Sequence, residues 1–154
     1  MVCMGNICRS PLAEAVSRAM AEEQGMAAMV EFDSAGTHGA HAGEAPDERA
    51  CRVAQARGYK MNGLRARKVV VDDFQRFDLV LAMDRANLAT LKRMCPESYQ
   101  PKLRLFLEFA DQVDADEVPD PYYGNMAGFE RVVALCEQAA RGLISAIRRG
   151  AVSR

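Results

Sequence analysis

Apolar residues recur at helical spacing in four stretches of the chain, and short apolar runs lie between these stretches. The predicted helices cover 10–24, 47–57, 84–94 and 129–149, and the predicted buried strands cover 29–33, 77–83 and 102–107. Gly25 and Gly58 follow the first two helices, and Asp84 is placed to cap the third. Strands that alternate with helices predict an α/β fold with a parallel sheet covered on both faces, whose functional crevice lies at the carboxyl ends of the strands.

The composition indicates one globular domain that spans 1–154, with 49% hydrophobic and 27% charged residues. A net charge of −1 gives no indication of a nucleic-acid partner. We expect no membrane insertion and a cytoplasmic location, because no apolar run approaches the ~20 residues that span a bilayer and no secretory leader is visible. The five cysteines and two histidines lack metal-ligand spacing, so neither a metal nor a disulfide framework is expected, and no motif calls for a cofactor.

The segment 3–10 places a thiol and a guanidinium at the two ends of a short loop that opens a helix. Backbone N–H groups of such a loop point inward and form a nest for tetrahedral oxyanions. Gly5 and Asn6 permit unusual backbone angles, and Arg9 can grip two phosphate oxygens at once. The segment therefore predicts a site for a phosphate dianion. Its lining residues would be Met4, Gly5, Asn6, Ile7, Cys8 and Ser10.

Cys3 is the candidate nucleophile of this loop. A thiol beside an arginine at a helix N-terminus is expected to be a thiolate, which can attack phosphorus and form a phosphocysteine. Ser10 is placed to hydrogen-bond the sulfur when it leaves again. The same spacing of Cys and Arg recurs at Cys51 and Arg57, but that segment has no glycine and lies in a predicted helix, so we expect Cys51 only to pack there.

Asp120 is the candidate general acid and base. Cleavage of a phosphate ester releases an alkoxide or phenoxide, which a positioned carboxylic acid can protonate. Pro119 and Pro121 hold the segment around Asp120 extended. An Asp-Pro pair alone is typical of an ordinary turn, but the adjacent Tyr122 and Tyr123 could form an apolar wall for an aryl substrate.

The loop resembles the signature of the low-molecular-weight protein tyrosine phosphatases over 2–14. Further family landmarks follow in the family's order at 33–37, 46–47, 66–67, 73–74, 77–78, 82–84, 87–88 and 120–124. The resemblance implies a single α/β domain with a central four-stranded parallel sheet, flanked by helices on both faces, and a phosphate-binding loop between strand 1 and helix 1. It also implies a metal-independent monomer that hydrolyses phosphotyrosine proteins or small aryl phosphates and is inhibited by oxyanions such as phosphate or vanadate.

The resemblance assigns supporting roles to further residues. Ser34 and Asn6 would hold the loop in shape, and Asp84 would orient Arg9 or neighbouring elements of the loop. Cys8 could merely fill the inner wall of the loop, but the matching cysteine of the family can form a reversible disulfide with the nucleophile, which here would protect Cys3 from irreversible oxidation.

The chain departs from the family's pattern opposite the tyrosine wall. In the alignment with the family, Ala40 stands where an aromatic residue usually sandwiches the substrate ring, which predicts a wider, less selective pocket unless Tyr122 or a neighbouring histidine compensates. His41 is the candidate rim contact. Neither His38 nor His41 has a carboxylate at a spacing that predicts an orienting pair, so a role as catalytic base is not expected.

A second departure concerns the first strand. In the family's fold a central strand of about five or six residues leads into the loop, but only Met1 and Val2 precede Cys3 here. Most of this strand is therefore expected to be missing, through a late start site or a trimmed sequence. A central strand without its partners would leave unpaired backbone groups and a cavity. If the physical chain truly begins at Met1, we therefore expect weak stability and a poorly held loop.

Two other functions remain open from the sequence. An arsenate reductase of related fold uses the same kind of nest but needs two further cysteines, for which Cys51, Cys95 and Cys136 are candidates, although no close pair stands in a flexible loop. The other function is that of a catalytically impaired oxyanion-binding module, which is a serious alternative only if the first strand is truly missing.

Overall fold

Four short strands form the centre of the computed structural model, which describes residues 1–152. They are β1 (Val2–Cys3), β2 (Ala35–Gly36), β3 (Val80–Ala82) and β4 (Leu103–Leu105). All pairings are parallel, in the order β2-β1-β3-β4. Val2 pairs with Ala35 on one side and Ala82 on the other, so β1 is central. The predicted four-stranded parallel sheet is confirmed, while 153 and 154 of the predicted domain lie outside the described residues.

Five α-helices surround the sheet, and four of them match the predicted helices to within three residues at each end. They are α1 (Arg9–Glu23), α2 (Glu48–Ala56), α3 (Asp72–Arg76), α4 (Arg85–Met94) and α5 (Met126–Arg148). Gly25 and Gly58 follow α1 and α2 with φ of 71° and 82°, where a residue without Cβ is favoured. Only α3 was not predicted. None of the helices described is both long and apolar enough to cross a membrane.

The predicted strand over 29–33 is wrong, because the ladder begins only at Ala35. Val2 pairs with Ala35, and the carbonyl of Asp33 accepts a hydrogen bond from the amino group of Met1 instead of a strand partner. The other predicted strands are shorter than expected. The segment 77–83 is a strand only over Val80–Ala82, and 102–107 only over Leu103–Leu105, after which a 3₁₀ helix (Phe106–Phe109) begins.

Successive residues of β3 face two different hydrophobic cores, as the alternation of a strand requires. Leu81 belongs to the core formed with α1, α2 and α5, which includes Leu12 and Ile144. Val80 and Ala82 belong to the core that includes Phe74 of α3 and Leu91 of α4. Helices therefore cover both faces, and the loops that follow the carboxyl ends of β1 and β3 meet at one edge of the sheet.

A cavity of about 250 Å³ lies at the opposite edge, beside the amino end of β1. Met1 and Val2 line it, together with the segments 29–35 and 77–81. The amino group of Met1 donates to the carbonyl of Asp33 at 2.9 Å, and burial lowers its pKa to about 6. The segments 29–35 and 77–81 thus leave open space between them at this edge.

We predict that an apolar extension of four or five β-branched residues before Met1 raises the melting temperature. The added residues would occupy the cavity between 29–35 and 77–81 and remove the buried ammonium. Each kcal/mol gained should raise Tm by roughly 2–4 °C. Thermal denaturation measures the effect, and a Gly/Ser extension of equal length is the control. Equal melting temperatures for the two extensions would show that the cavity costs no stability.

Candidate active site

The loop over residues 3–10, called here the phosphate-binding loop, connects β1 to α1 at the carboxyl edge of the sheet. Cys8 occupies the N-cap position of α1, but its side chain makes no capping hydrogen bond. The N–H groups of the first turn are therefore not satisfied by a cap and can bind an anion. The structure thus supplies a helix N-terminus at the place where the sequence predicts an oxyanion site.

Asn6 determines the shape of this loop. Its φ of 59° lies in the left-handed region, which asparagine tolerates better than most residues. Its amide nitrogen donates to the hydroxyls of Ser10 at 2.8 Å and Ser34 at 2.9 Å. Its amide oxygen accepts from the backbone N–H of Arg67 at 3.0 Å. The buried amide therefore ties the loop to α1 and to two other segments, and Arg67 is a contact that the sequence analysis did not predict.

Two hydrogen bonds converge on the sulfur of Cys3. The backbone N–H of Asn6 donates to Sγ at 3.3 Å, and the hydroxyl of Ser10 lies 3.0 Å from Sγ. That hydroxyl accepts a hydrogen bond from Asn6, so its one hydrogen can point at the sulfur or at the carbonyl oxygen of Ala35, which lies 3.4 Å away. Donors of this kind stabilise a thiolate and also a sulfur that leaves phosphorus.

Gly36 allows the loop to lie directly against β2. A Cβ at this position would come within 2.8 Å of the carbonyl oxygen of Met4 and 2.9 Å of that of His38. The N–H groups of Thr37 and His38 donate to the carbonyls of Cys3 and Met4 at 2.9 and 3.1 Å. Any side chain at Gly36 would push the loop away from these donors.

Arg9 is 3% exposed and is held by two elements beyond the loop. Its guanidinium donates to Asp84 Oδ2 at 2.6 Å and to the carbonyl of Val118 at 3.1 Å. Asp84 also caps α4, where its side chain accepts from the N–H of Asn87. The predicted link between Asp84 and Arg9 is therefore present in the structure, and Val118 joins the segment before Asp120 to the same arginine.

Asp120 leans toward Arg9, with its Oδ2 3.7 Å from the guanidinium. Its other oxygen accepts the N–H of Tyr122 at 3.1 Å, and the side chain is 43% exposed. Residues 118–123 are called the acid loop below. This loop brings a partly solvated carboxyl group over the phosphate-binding loop.

Cys3, Arg9 and Asp120 line one cavity of about 190 Å³ at the carboxyl edge of the sheet. Met4, Gly5, Ile7 and Cys8 form its floor, and two pairs of rings form its walls. Tyr122 and Tyr123 stand on one side, with ring centroids 4.9 Å apart. The rings of His38 and His41 also line the cavity, with centroids 6.4 Å apart. The larger cavity beside Met1 lacks such a set of reactive groups, so geometry favours this smaller one as the active site.

The histidine wall differs from the prediction in three ways. Ala40 does not line the cavity, and its N–H donates to His38 Nδ1 at 3.3 Å. His38, which was not selected as a site residue, lines the cavity beside His41. The expectation that no carboxylate orients a histidine is wrong for His41, because its Nδ1 lies 2.6 Å from Glu44 Oε2. The three-residue separation of this pair in the sequence was the signal.

The other cysteines are poorly disposed to react. Burial raises the pKa of Cys8 to about 12. Burial also raises the pKa values of Cys51, Cys95 and Cys136. Cys51 lies within α2, as expected for a packing residue. Among residues 1–152, no cluster of three or more His, Cys, Asp or Glu side chains is arranged to hold a metal ion.

Comparison with known proteins identifies the family of this site. The family model described as low molecular weight phosphotyrosine protein phosphatase matches residues 1–153. The chain belongs to this family. A low molecular weight protein-tyrosine-phosphatase of Streptomyces coelicolor is 45% identical over 150 residues, which cover 96% of this chain and 91% of that protein. A low molecular weight phosphotyrosine protein phosphatase 2 of Drosophila melanogaster is 40% identical over 149 residues, with 96% and 90% coverage.

Solved structures support the same assignment. The protein tyrosine phosphatase of Entamoeba histolytica, crystallised with Hepes in its active site, superposes with a TM-score of 0.95 at 41% identity. The match covers 97% of this chain and 96% of that one. The resemblance drawn from the sequence is confirmed, and the fold is that of low molecular weight protein tyrosine phosphatases.

Replacement of Asn6 should separate backbone shape from hydrogen bonding. We predict that Asn6→Ala lowers kcat by about tenfold or more, because it loses three hydrogen bonds and disfavours the left-handed conformation. Asn6→Gly keeps that conformation and loses only the hydrogen bonds, so it should be roughly 1 kcal/mol more stable than Asn6→Ala. Urea denaturation and turnover measure both effects. Full turnover of Asn6→Gly would contradict the role of the amide.

Alkylation should distinguish Cys3 from the remaining cysteines. We predict that iodoacetate at pH 7 modifies Cys3 alone and that inorganic phosphate slows the reaction. The reagent is an anion that fits the nest, whereas raised pKa values keep the other thiols protonated. Peptide mass mapping identifies the alkylated residue, and Cys8→Ser is the control that should be labelled as the unmodified chain is. Labelling of Cys8 before Cys3 would contradict this prediction.

Proposed function

We propose that this chain hydrolyses phosphotyrosine proteins and small aryl phosphate monoesters through a covalent phosphocysteine on Cys3. The observation that carries the proposal is the convergence of Cys3, Arg9 and Asp120 on one cavity. A nucleophile, a phosphate-binding cation and an acid are the three groups that such a displacement needs.

In the first step, the sulfur of Cys3 attacks phosphorus while the bond from phosphorus to the phenolic oxygen breaks. Arg9 and the N–H groups of the phosphate-binding loop hold the equatorial oxygens and spread their charge. Asp120, in its protonated form, gives its proton to the departing oxygen. The products of this step are a phenol and the phosphocysteine.

In the second step, water attacks the phosphocysteine. Asp120, now ionised, takes a proton from the water, and the electrons of the breaking sulfur–phosphorus bond return to Cys3. The hydroxyl of Ser10, 3.0 Å from Sγ, stabilises the departing thiolate. Inorganic phosphate leaves, and the site is ready for another cycle without a metal or a cofactor.

The walls of the cavity suit an aryl group. The rings of Tyr122, Tyr123, His38 and His41 all line the cavity, so a phenyl ring that enters it can contact aromatic side chains. His41 acts in this proposal as a rim contact held by Glu44, rather than as a catalytic base. The family usually has an aromatic residue at the position of Ala40, and in this proposal the rings of His38 and His41 replace it.

Arsenate reduction is the second function that the nest could serve. It requires two further cysteines that can exchange disulfides with Cys3. Cys136 and Cys51 pack with the core on one face of the sheet, and Cys95 packs with the core on the other. This separation does not favour a relay. A binding-only role is disfavoured because nucleophile, cation and acid are all present in one cavity.

Several further features of the proposal rest on the family resemblance. Phosphate and vanadate are expected to compete with substrate. When a peroxide oxidises Cys3 to a sulfenic acid, the thiol of Cys8 is expected to displace water and form a reversible disulfide that protects the nucleophile. A monomeric state and a cytoplasmic location stay predictions from the sequence.

The first test is release of p-nitrophenol from p-nitrophenyl phosphate at mildly acidic pH with EDTA present. We predict that the unmodified chain turns over and that Cys3→Ser has no measurable turnover but still binds vanadate or phosphate. Asp120→Asn should lose about 10²- to 10⁴-fold in kcat, because hydrolysis of the phosphocysteine then lacks its base. Isothermal titration with vanadate shows whether the Cys3→Ser nest is intact. Turnover by Cys3→Ser at the unmodified rate would eliminate the phosphocysteine mechanism, and turnover that EDTA abolishes would indicate a metal.

A further inference from the structure

The acid loop is anchored on one side of Asp120 by groups already described, but its other side is held by a residue outside the cavity. Before Asp120, Val118 donates its N–H to the carbonyl of Met83 at 2.8 Å and accepts from Arg9. After Asp120, the side chain of Arg49 lies against two rings. Its guanidinium carbon is 5.6 Å from the ring centroid of Tyr122 and 4.6 Å from that of Phe129.

Arg49 is itself fixed by Asp47, two residues earlier in the chain. Its guanidinium donates through Nε and one terminal nitrogen to the two oxygens of that carboxylate, at 3.1 and 2.9 Å. Asp47 Oδ1 also accepts the backbone N–H of Arg49 and thereby caps α2. These hydrogen bonds hold the pKa of Asp47 below its usual range. The planar guanidinium of Arg49 is thus held against the rings of Tyr122 and Phe129 before any substrate arrives.

The same unit touches the phosphate-binding loop. The backbone N–H of Asp47 donates to the carbonyl of Ile7 at 2.9 Å. A continuous path therefore runs from Ile7 through Asp47 and Arg49 to the ring of Tyr122. From there the N–H of Tyr122 donates to Asp120 Oδ1 at 3.1 Å.

We propose that Arg49 is a positioning residue that fixes the acid loop over the phosphate-binding loop, so that the carboxyl group of Asp120 meets the leaving oxygen. Arg49 does not line the cavity, so it acts through Tyr122 and not on the substrate. Lysine cannot replace it, because an ammonium has neither the fork that matches a carboxylate nor a planar face to lie on an aromatic ring. This inference rests on the proposed role of Asp120 as the general acid.

The test compares kcat/KM for two substrates that differ only in the leaving group. p-Nitrophenolate is a weak base that departs with little help, whereas phenolate is a stronger base that needs a proton. We expect Arg49→Ala and Arg49→Lys to lose roughly tenfold or more in kcat/KM with phenyl phosphate but less than about threefold with p-nitrophenyl phosphate. Arg52→Ala, which removes an exposed arginine from the same helix, is the matched control and should change neither value.

A double variant connects the effect to Asp120. In the Asp120→Asn background no acid remains to be positioned, so adding Arg49→Ala should leave kcat/KM for phenyl phosphate within about twofold. Equal losses with both substrates, or a full additional loss in the double variant, would overturn the inference and indicate a merely structural role. If Asp120→Asn itself shows no dependence on the leaving group, the general-acid proposal fails instead, so the two failures are distinguishable.

A second substitution keeps the inference falsifiable if Arg49→Ala does not fold. Asp47→Asn retains an oxygen that can cap α2 but removes the charge that orients Arg49. It should show the same preference for the better leaving group, with a smaller loss. Thermal denaturation of each variant confirms that it is folded at the assay temperature, and a folded Asp47→Asn with unchanged kcat/KM for both substrates would also overturn the inference.

Discussion

The site depends on one buried amide. A loop whose N–H groups converge on a common point does not keep that shape by itself, because the aligned donors repel one another when no anion is present. Asn6 supplies the compensation: it accepts a left-handed φ of 59° and uses both amide hydrogens and its oxygen within the protein. A fully satisfied buried polar group of this kind rigidifies its surroundings. The nest is therefore formed before phosphate arrives, and the other elements of the fold are arranged to keep it so.

The sheet edge brings the remaining groups to the nest from distant parts of the chain. Asp84 follows β3, and it reaches Arg9 because the carboxyl ends of β1 and β3 are neighbours. The acid loop comes after β4 and is drawn in at Val118, which bonds both the end of β3 and Arg9. The same arginine is thus a ligand for phosphate in the proposed mechanism and a fastening point for the loop that carries the acid. Phosphate binding and proton transfer would therefore both depend on the position of Arg9.

The sequence predicted the helices and the phosphate-binding loop well, since both leave local signals. Cys3, Arg9 and the glycine between them stand in one short segment, and the stops at Gly25 and Gly58 are backbone effects of single residues. The prediction of a strand over 29–33 was wrong because the position of a strand depends on the neighbouring strand with which it pairs, and Val2 pairs with Ala35 instead. The contacts of His38 and Arg67 with the site were not predicted for a similar reason. They arise because β2 and the backbone at Arg67 pack against the phosphate-binding loop, and no local sequence pattern indicates such packing. Asp120 was selected from its flanking prolines and tyrosines, but no local pattern predicted that its carboxyl group lies 3.7 Å from the guanidinium of Arg9.

The contact between Arg9 and Asp84 has a consequence for the release of product. In the proposed mechanism Arg9 also holds the inorganic phosphate that must leave at the end of the cycle. Asp84, 2.6 Å from the guanidinium, already neutralises part of its positive charge. An anion that binds Arg9 must therefore compete with a carboxylate that is built into the protein, which lowers its affinity for the site. Asp84 thus weakens the binding of the product and helps the site to become vacant again.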